Sequence, residues 1–107
     1  MSKHELNGLE LLAVMSQTVG HRRVMGLMGA VAICGLAGLE PEDWEGMYEC
    51  LRGFGFSKAA VYNIRADFRR CAEKVRELEG GTGETMTLVR RVAELRESGL
   101  TPTGLVC

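Results

Sequence analysis

The chain is predicted to fold as an all-α, compact bundle of about five helices. Three observations predict this. Apolar residues recur at threes and fours in several separate segments, and no alternation of the strand kind persists beyond a few positions. The core material is aliphatic and Met-rich, with six Met against three Phe, two Tyr and one Trp. Gly is abundant and Pro rare, fourteen against two, and many of the Gly residues sit where the periodic segments break off. With 46% apolar and 25% charged residues in 107, the chain has the proportions of an ordinary globular domain, not of a disordered segment. It reads as one domain over residues 1–107.

The first helix is expected over residues 6–19, where Leu9, Leu12 and Met15 fall at helical spacing with Leu11 beside them. Asn7 is the candidate cap and Gly20 the candidate stop. After His21-Arg22-Arg23, the 16 residues 24–39 carry no charge. A membrane span needs roughly 18 or more apolar residues, and four glycines interrupt this run, so a buried central helix is expected. Within it Gly26, Ala30, Cys34 and Gly38 follow one another at i+4. Such a stripe of small residues lets another helix approach closely, which makes it a candidate dimer or helix-packing surface. Met25, Met28, Ala32 and Leu36 fall on other faces.

Pro41, flanked by Glu40, Glu42, Asp43 and Glu45, opens a third helix, since the helix dipole favours acids in the first turn and Pro tolerates that position. This helix carries Trp44, Met47, Tyr48 and Leu51 and is expected to end near Gly53. A fourth helix follows over residues 57–79, capped by Ser57. Its stripe of Val61, Ile64, Phe68, Cys71, Val75 and Leu78 is the longest in the chain. Gly80, Gly81 and Gly83 end it. A last helix over residues 84–97 buries Val89, Val92, Ala93 and Leu95, and the tail 101–107 is expected to be loosely held.

Cys34, Cys50, Cys71 and Cys107 are separated by 16, 21 and 36 residues, and neither His4 nor His21 is near them. Zinc ligands come in closely spaced pairs, so no metal site is expected. No cofactor is implied either. The first 19 residues mix apolar and polar types and do not resemble a secretory signal, so reduced thiols in a cytoplasmic protein are expected. The loop from Glu79 to Thr85 could cradle an anion, but it lacks the Lys and Ser/Thr of a nucleotide-binding loop and follows a helix rather than a strand. A linker is the better reading. No nucleophile–base pair or facing carboxylates stand out, and the chain is not expected to be an enzyme.

Residues 47–66 read Met-Tyr-Glu-Cys-Leu-Arg-Gly-Phe-Gly-Phe-Ser-Lys-Ala-Ala-Val-Tyr-Asn-Ile-Arg-Ala. This stretch resembles the generic helix-turn-helix unit of DNA-binding proteins; the resemblance covers about twenty residues and extends to no family for the whole chain. A tight turn between steeply crossed helices needs a left-handed residue, and Gly55 stands there. Phe56 follows as the side chain tucked under the pair, Ser57 caps the second helix, and Val61 and Ile64 point inward against Cys50 and Phe54. Leu51 departs from the pattern, which prefers a small residue where the helices cross. The resemblance implies a helix-turn-helix over about residues 42–79 whose second helix enters a major groove. Lys58, Tyr62 and Asn63 would contact bases, with Ala59 and Ala66 on the same side, and Arg52, Arg65, Arg69 and Arg70 would contact phosphates.

Regional charge fits this picture. The net charge of the chain is −1, yet residues 51–76 carry +5 and residues 40–50 carry −5. The basic element is the local footprint that a DNA reader needs. Two functions stand open. One is a small DNA-binding transcriptional regulator acting on double-stranded DNA as a homodimer, because a single unit reads only a few base pairs. The other is a small helical protein-binding adaptor or inhibitor, of the kind a phage or plasmid directs at a host protein, which would use Trp44 and the acidic lobe. A membrane partner is not expected.

Overall fold

The computed structural model describes residues 5–40, 43–81 and 85–99. Five helices account for it: α1 Gly8–Val19, α2 His21–Leu36, α3 Trp44–Phe54, α4 Lys58–Glu79 and α5 Thr85–Glu97. The all-α expectation holds, with no strand among the described residues. Pro41, Glu42, His4, Cys107 and the tail 101–107 lie outside the described residues, as does the segment 82–84.

Local chemistry sets most of the helix ends. Asn7 and Glu10 form a reciprocal capping box at α1, with side chain–backbone bonds of 2.9 Å in each direction. Asp43 caps α3 by accepting from the Gly46 N–H (2.8 Å), and Ser57 caps α4 by accepting from the Ala60 N–H (3.1 Å). The sequence placed the start of α2 at residue 24, but the helix begins at His21. Its first turn therefore holds three residues of basic type, against the helix dipole. A contact distant in sequence compensates. Arg23 grips Asp67 of α4 with two hydrogen bonds, Nε to Oδ2 at 3.0 Å and Nη2 to Oδ1 at 2.6 Å.

The core is one cluster fed by every helix. Leu11, Leu12 and Met15 of α1, Val24 and Leu27 of α2, Met47 and Leu51 of α3, Val61, Phe68 and Cys71 of α4, and Val89 and Val92 of α5 are all fully buried. Two residues assigned to apolar stripes depart from it: Leu9 is 52% exposed and Leu78 is 47% exposed. Leu11 and Leu88 take buried places instead, and Asp67 is the buried charged residue of α4.

The stripe of small residues is broken by the fold. Ala30 and Cys34 are buried within the chain, Gly26 is exposed, and Gly38 lies beyond the end of α2 in a left-handed conformation (φ 78°). Cys34 packs where α3 approaches, its Sγ 4.0 Å from the Met47 carbonyl oxygen. The stripe thus serves close packing of α2 inside the bundle along part of its length, and it is not a continuous outer surface.

At the far end of α4 a clasp joins three elements. The Glu79 carboxylate accepts from the Leu6 N–H (2.7 Å) and from Arg91 Nη1 of α5 (2.9 Å), and Arg91 Nη2 donates to the Leu6 carbonyl (2.9 Å). This fixes the start of α1 beside the end of α4, so the two helices run antiparallel.

Candidate nucleic-acid interface

The segment between α3 and α4 is three residues long. Gly55 adopts φ 117° and ψ 1°, a region that side-chain-bearing residues rarely occupy, and the Phe56 N–H donates to the Leu51 carbonyl (3.0 Å) to close a Schellman-type turn. Phe56 is half-buried against the core and Ser57 starts the next helix. Leu51 and Val61, on either side of the turn, are fully buried. Gly55, Phe56, Ser57 and Val61 thus take the places read from the sequence. Phe54 does not: it is 67% exposed, with its ring centroid 6.3 Å from that of Phe56 and the two planes tilted by 47°. Ending the helix at Gly55 turns the last α3 side chain outward.

With Val61, Phe68 and Cys71 inward, helical phase puts Lys58, Ala59, Tyr62, Asn63, Arg65, Ala66 and Arg69 outward, and all seven are exposed. These include the three residues proposed for base contacts. Three of the four phosphate candidates, Arg52, Arg65 and Arg70, have local engagements as well. Arg52 curls back so that Nη1 donates to the Phe56 carbonyl (3.2 Å), and Arg70 Nη1 lies 4.0 Å from Asp67 Oδ1.

Aromatic residues of α3 organise the outer face of α4, which the sequence reading did not foresee. The Arg65 guanidinium sits 5.3 Å from the Trp44 ring centroid, close enough for an attraction of about 0.5–1 kcal/mol at an exposed site. The Tyr48 and Tyr62 rings are 5.9 Å apart at 45°, within the range of favourable tilted pairs. Lys58 Nζ lies over the Tyr62 ring, 5.9 Å from its centroid. The signal was present as i, i+4 spacing in each helix: Trp44 and Tyr48, Lys58 and Tyr62.

A second omission concerns α2. Arg22 and Arg23 line one groove together with Asn63 and Asp67, so the basic start of α2 lies beside the basic face of α4. The sequence clue was Asp67, an acid three residues after Ile64 and four before Cys71, on the flank of an otherwise apolar stripe. A charge in that position requires a partner from elsewhere in the fold. Along α3, Glu45 and Glu49 are exposed, while Asp43 is occupied as the helix cap.

Cys34, Cys50 and Cys71 are free thiols. Burial pushes the Cys34 thiol up to about 12, with a hydrogen bond to Cys50 adding to the shift. Burial likewise pushes Cys71 up to about 11, with the Asp67 carboxylate contributing. Both stay protonated at neutral pH and act as small apolar groups. Among the described residues no cluster of His, Cys, Asp and Glu could hold a metal ion, and no helix is long and apolar enough to cross a membrane. No protein-family model matches the chain, and no curated protein or solved structure is significantly similar to it.

Proposed function

We propose that α3, the Gly55–Ser57 turn and α4 act as a DNA-binding helix-turn-helix in a small cytoplasmic transcriptional regulator. The observation that carries the reading is the solvent-facing side of α4 directly after a glycine-hinged three-residue turn. Lys58, Tyr62, Arg65 and Arg69 are exposed along one flank of that side, and Asn63 is exposed on the other, where it borders the α2 groove. An Asn can pair with adenine through two hydrogen bonds, and Arg with guanine or phosphate. Arg22 and Arg23, beside Asn63, extend the positive surface toward a neighbouring phosphate.

The regulator would act as a homodimer, because one unit reaches too few base pairs for useful affinity. Ala30 and Cys34 are taken up by the monomer core, so that expectation rests on the reach of the unit and not on the stripe. The apolar residues Leu88, Val89, Val92 and Leu95 of α5 are likewise buried in the core. A monomeric mass in solution at micromolar concentration would count against the dimer. The protein-binding alternative would use Trp44 and the acids of α3. Trp44 is half-buried and carries Arg65 on its ring, so a partner would have to displace that contact.

The test is fluorescence anisotropy with a random-sequence duplex at low and moderate salt, for wild type and Arg65→Ala/Arg69→Ala. The wild type should bind with affinity that falls steeply as salt rises. The double variant should bind more weakly and lose about two from the slope of log affinity against log salt, one per phosphate contact removed. Absence of binding at tens of micromolar protein, with helical circular dichroism intact, would overturn the proposal in favour of a protein partner.

A further inference from the structure

We propose that the groove between α2 and α4 is a binding site for a small amphiphilic carboxylate, a molecule with one anionic head and an apolar body of medium length. The groove measures about 620 Å³, within the range of roughly 300–1,000 Å³ typical of small-molecule sites.

Its two walls run in opposite directions, which sorts its chemistry along its length. Arg23 meets Asp67 at one end. Ten residues further along α2 stands Ile33, and eleven residues before Asp67 stands Phe56, both lining the groove. The helical rise makes this a channel of about 15 Å from its charged end to its apolar end. Between them the floor is Gly26, Gly29 and Ala30 of α2, faced by Ala60 and Ile64 of α4.

The charged end suits one anionic head. Arg23 uses Nε and Nη2 on Asp67, which leaves its Nη1 hydrogens available. The Arg22 side chain lines the same end and takes part in no hydrogen bond or ion pair among the described residues. The Asn63 amide supplies a neutral donor beside them. Asp67 is already matched by Arg23, with Arg70 4.0 Å away, so the local balance at this end is positive. A carboxylate held by guanidinium groups gains charge-assisted, geometrically specific hydrogen bonds.

The glycines supply an independent argument. A Cβ added at Gly26 or Gly29 would meet nothing within 4 Å. Glycine is unfavourable inside a helix relative to alanine, and the chain's own packing calls for neither residue. What they provide is a floor of bare backbone that an apolar ligand can approach. A phosphate contact alone would need no apolar floor, which separates this site from the proposed DNA face, although the two share Arg22, Arg23 and Asn63.

The probe is octanoate, titrated below its micellar concentration into ¹⁵N-labelled protein, with octanol as the uncharged control; no nucleic acid is present, so the outcome is separate from the DNA reading. Saturable amide shifts are expected at Gly26, Gly29, Ala60 and Asn63. Octanol and the Arg22→Gln variant should each give binding about tenfold weaker, the loss expected when a hydrogen bond to a charged group is removed. Gly29→Leu should abolish the shifts without lowering the melting temperature, and Gly26→Leu serves the same purpose if that variant fails to fold. The proposal is overturned by absence of saturable shifts, by octanol binding as tightly as octanoate, or by full binding in a folded glycine variant. Shifts at these amides that follow protein concentration without octanoate would place a second copy in the groove, and would overturn it too.

Discussion

The two halves of α4 behave as different materials. From Asp67 to Val75 the helix buries Phe68, Cys71, Ala72 and Val75, and the Glu79–Arg91–Leu6 clasp closes that end. From Lys58 to Ala66 only Val61 is buried, and one side of this half opens onto the α2 groove while another faces solvent. The same periodic stripe runs through both halves in sequence. The difference lies in what stands beside each half: the start of α1 and Arg91 of α5 are tied to the end of α4 in one case, and Gly26 and Gly29 line the groove in the other. A helix anchored at one end and open at the other can present side chains without itself being loose, since binding surfaces held on rigid elements are more exact than those on loops.

This contrast can be broken first at the closed end. Phe68→Ala should cost about 3–5 kcal/mol of stability, as expected for a fully buried aromatic ring replaced by a cavity, read from urea denaturation. A loss below one kcal/mol would mean that the closed half is not packed as described. The junction between the halves comes next. Arg23→Ala strips the buried Asp67 carboxylate of its two-pronged donor and should destabilise by about 1–3 kcal/mol, whereas Arg22→Ala, which removes no such bond, should be nearly neutral. Equal effects would show that the ion pair does not strap α2 to α4. The smallest effect belongs to the open end and has the opposite sign. Gly29→Ala should stabilise by roughly 0.5–1 kcal/mol, because Ala is the better helix former and its Cβ meets nothing within 4 Å. Destabilisation there would mean that the groove is narrower than its 620 Å³ implies.

What was legible in the sequence follows the range of the physics. Caps and stops act within four residues, so Asn7, Gly20, Ser57 and Gly80 could be read directly and stand at helix boundaries. The outward phase of Lys58, Tyr62, Asn63 and Arg65 followed from the inward stripe by rotation alone. Three features depended on partners distant along the chain and were missed. The helical state of His21–Arg23 is supported by Asp67, 44 residues beyond Arg23. The outward turn of Phe54 depends on how α3 ends against α4. The groove exists only once α2 and α4 are placed side by side, and within the helices only Asp67, a charge on the flank of an apolar stripe, hints at it.

Trp44 has a practical consequence of its own. It is the single tryptophan of the chain, it is half-buried, and a guanidinium rests on its ring at 5.3 Å. The protein therefore carries an intrinsic optical label where the start of α3 meets Arg65 of α4. Any ligand that draws Arg65 away from the indole changes the charge and solvent around the fluorophore, so emission from unmodified protein reports whether that arginine has moved.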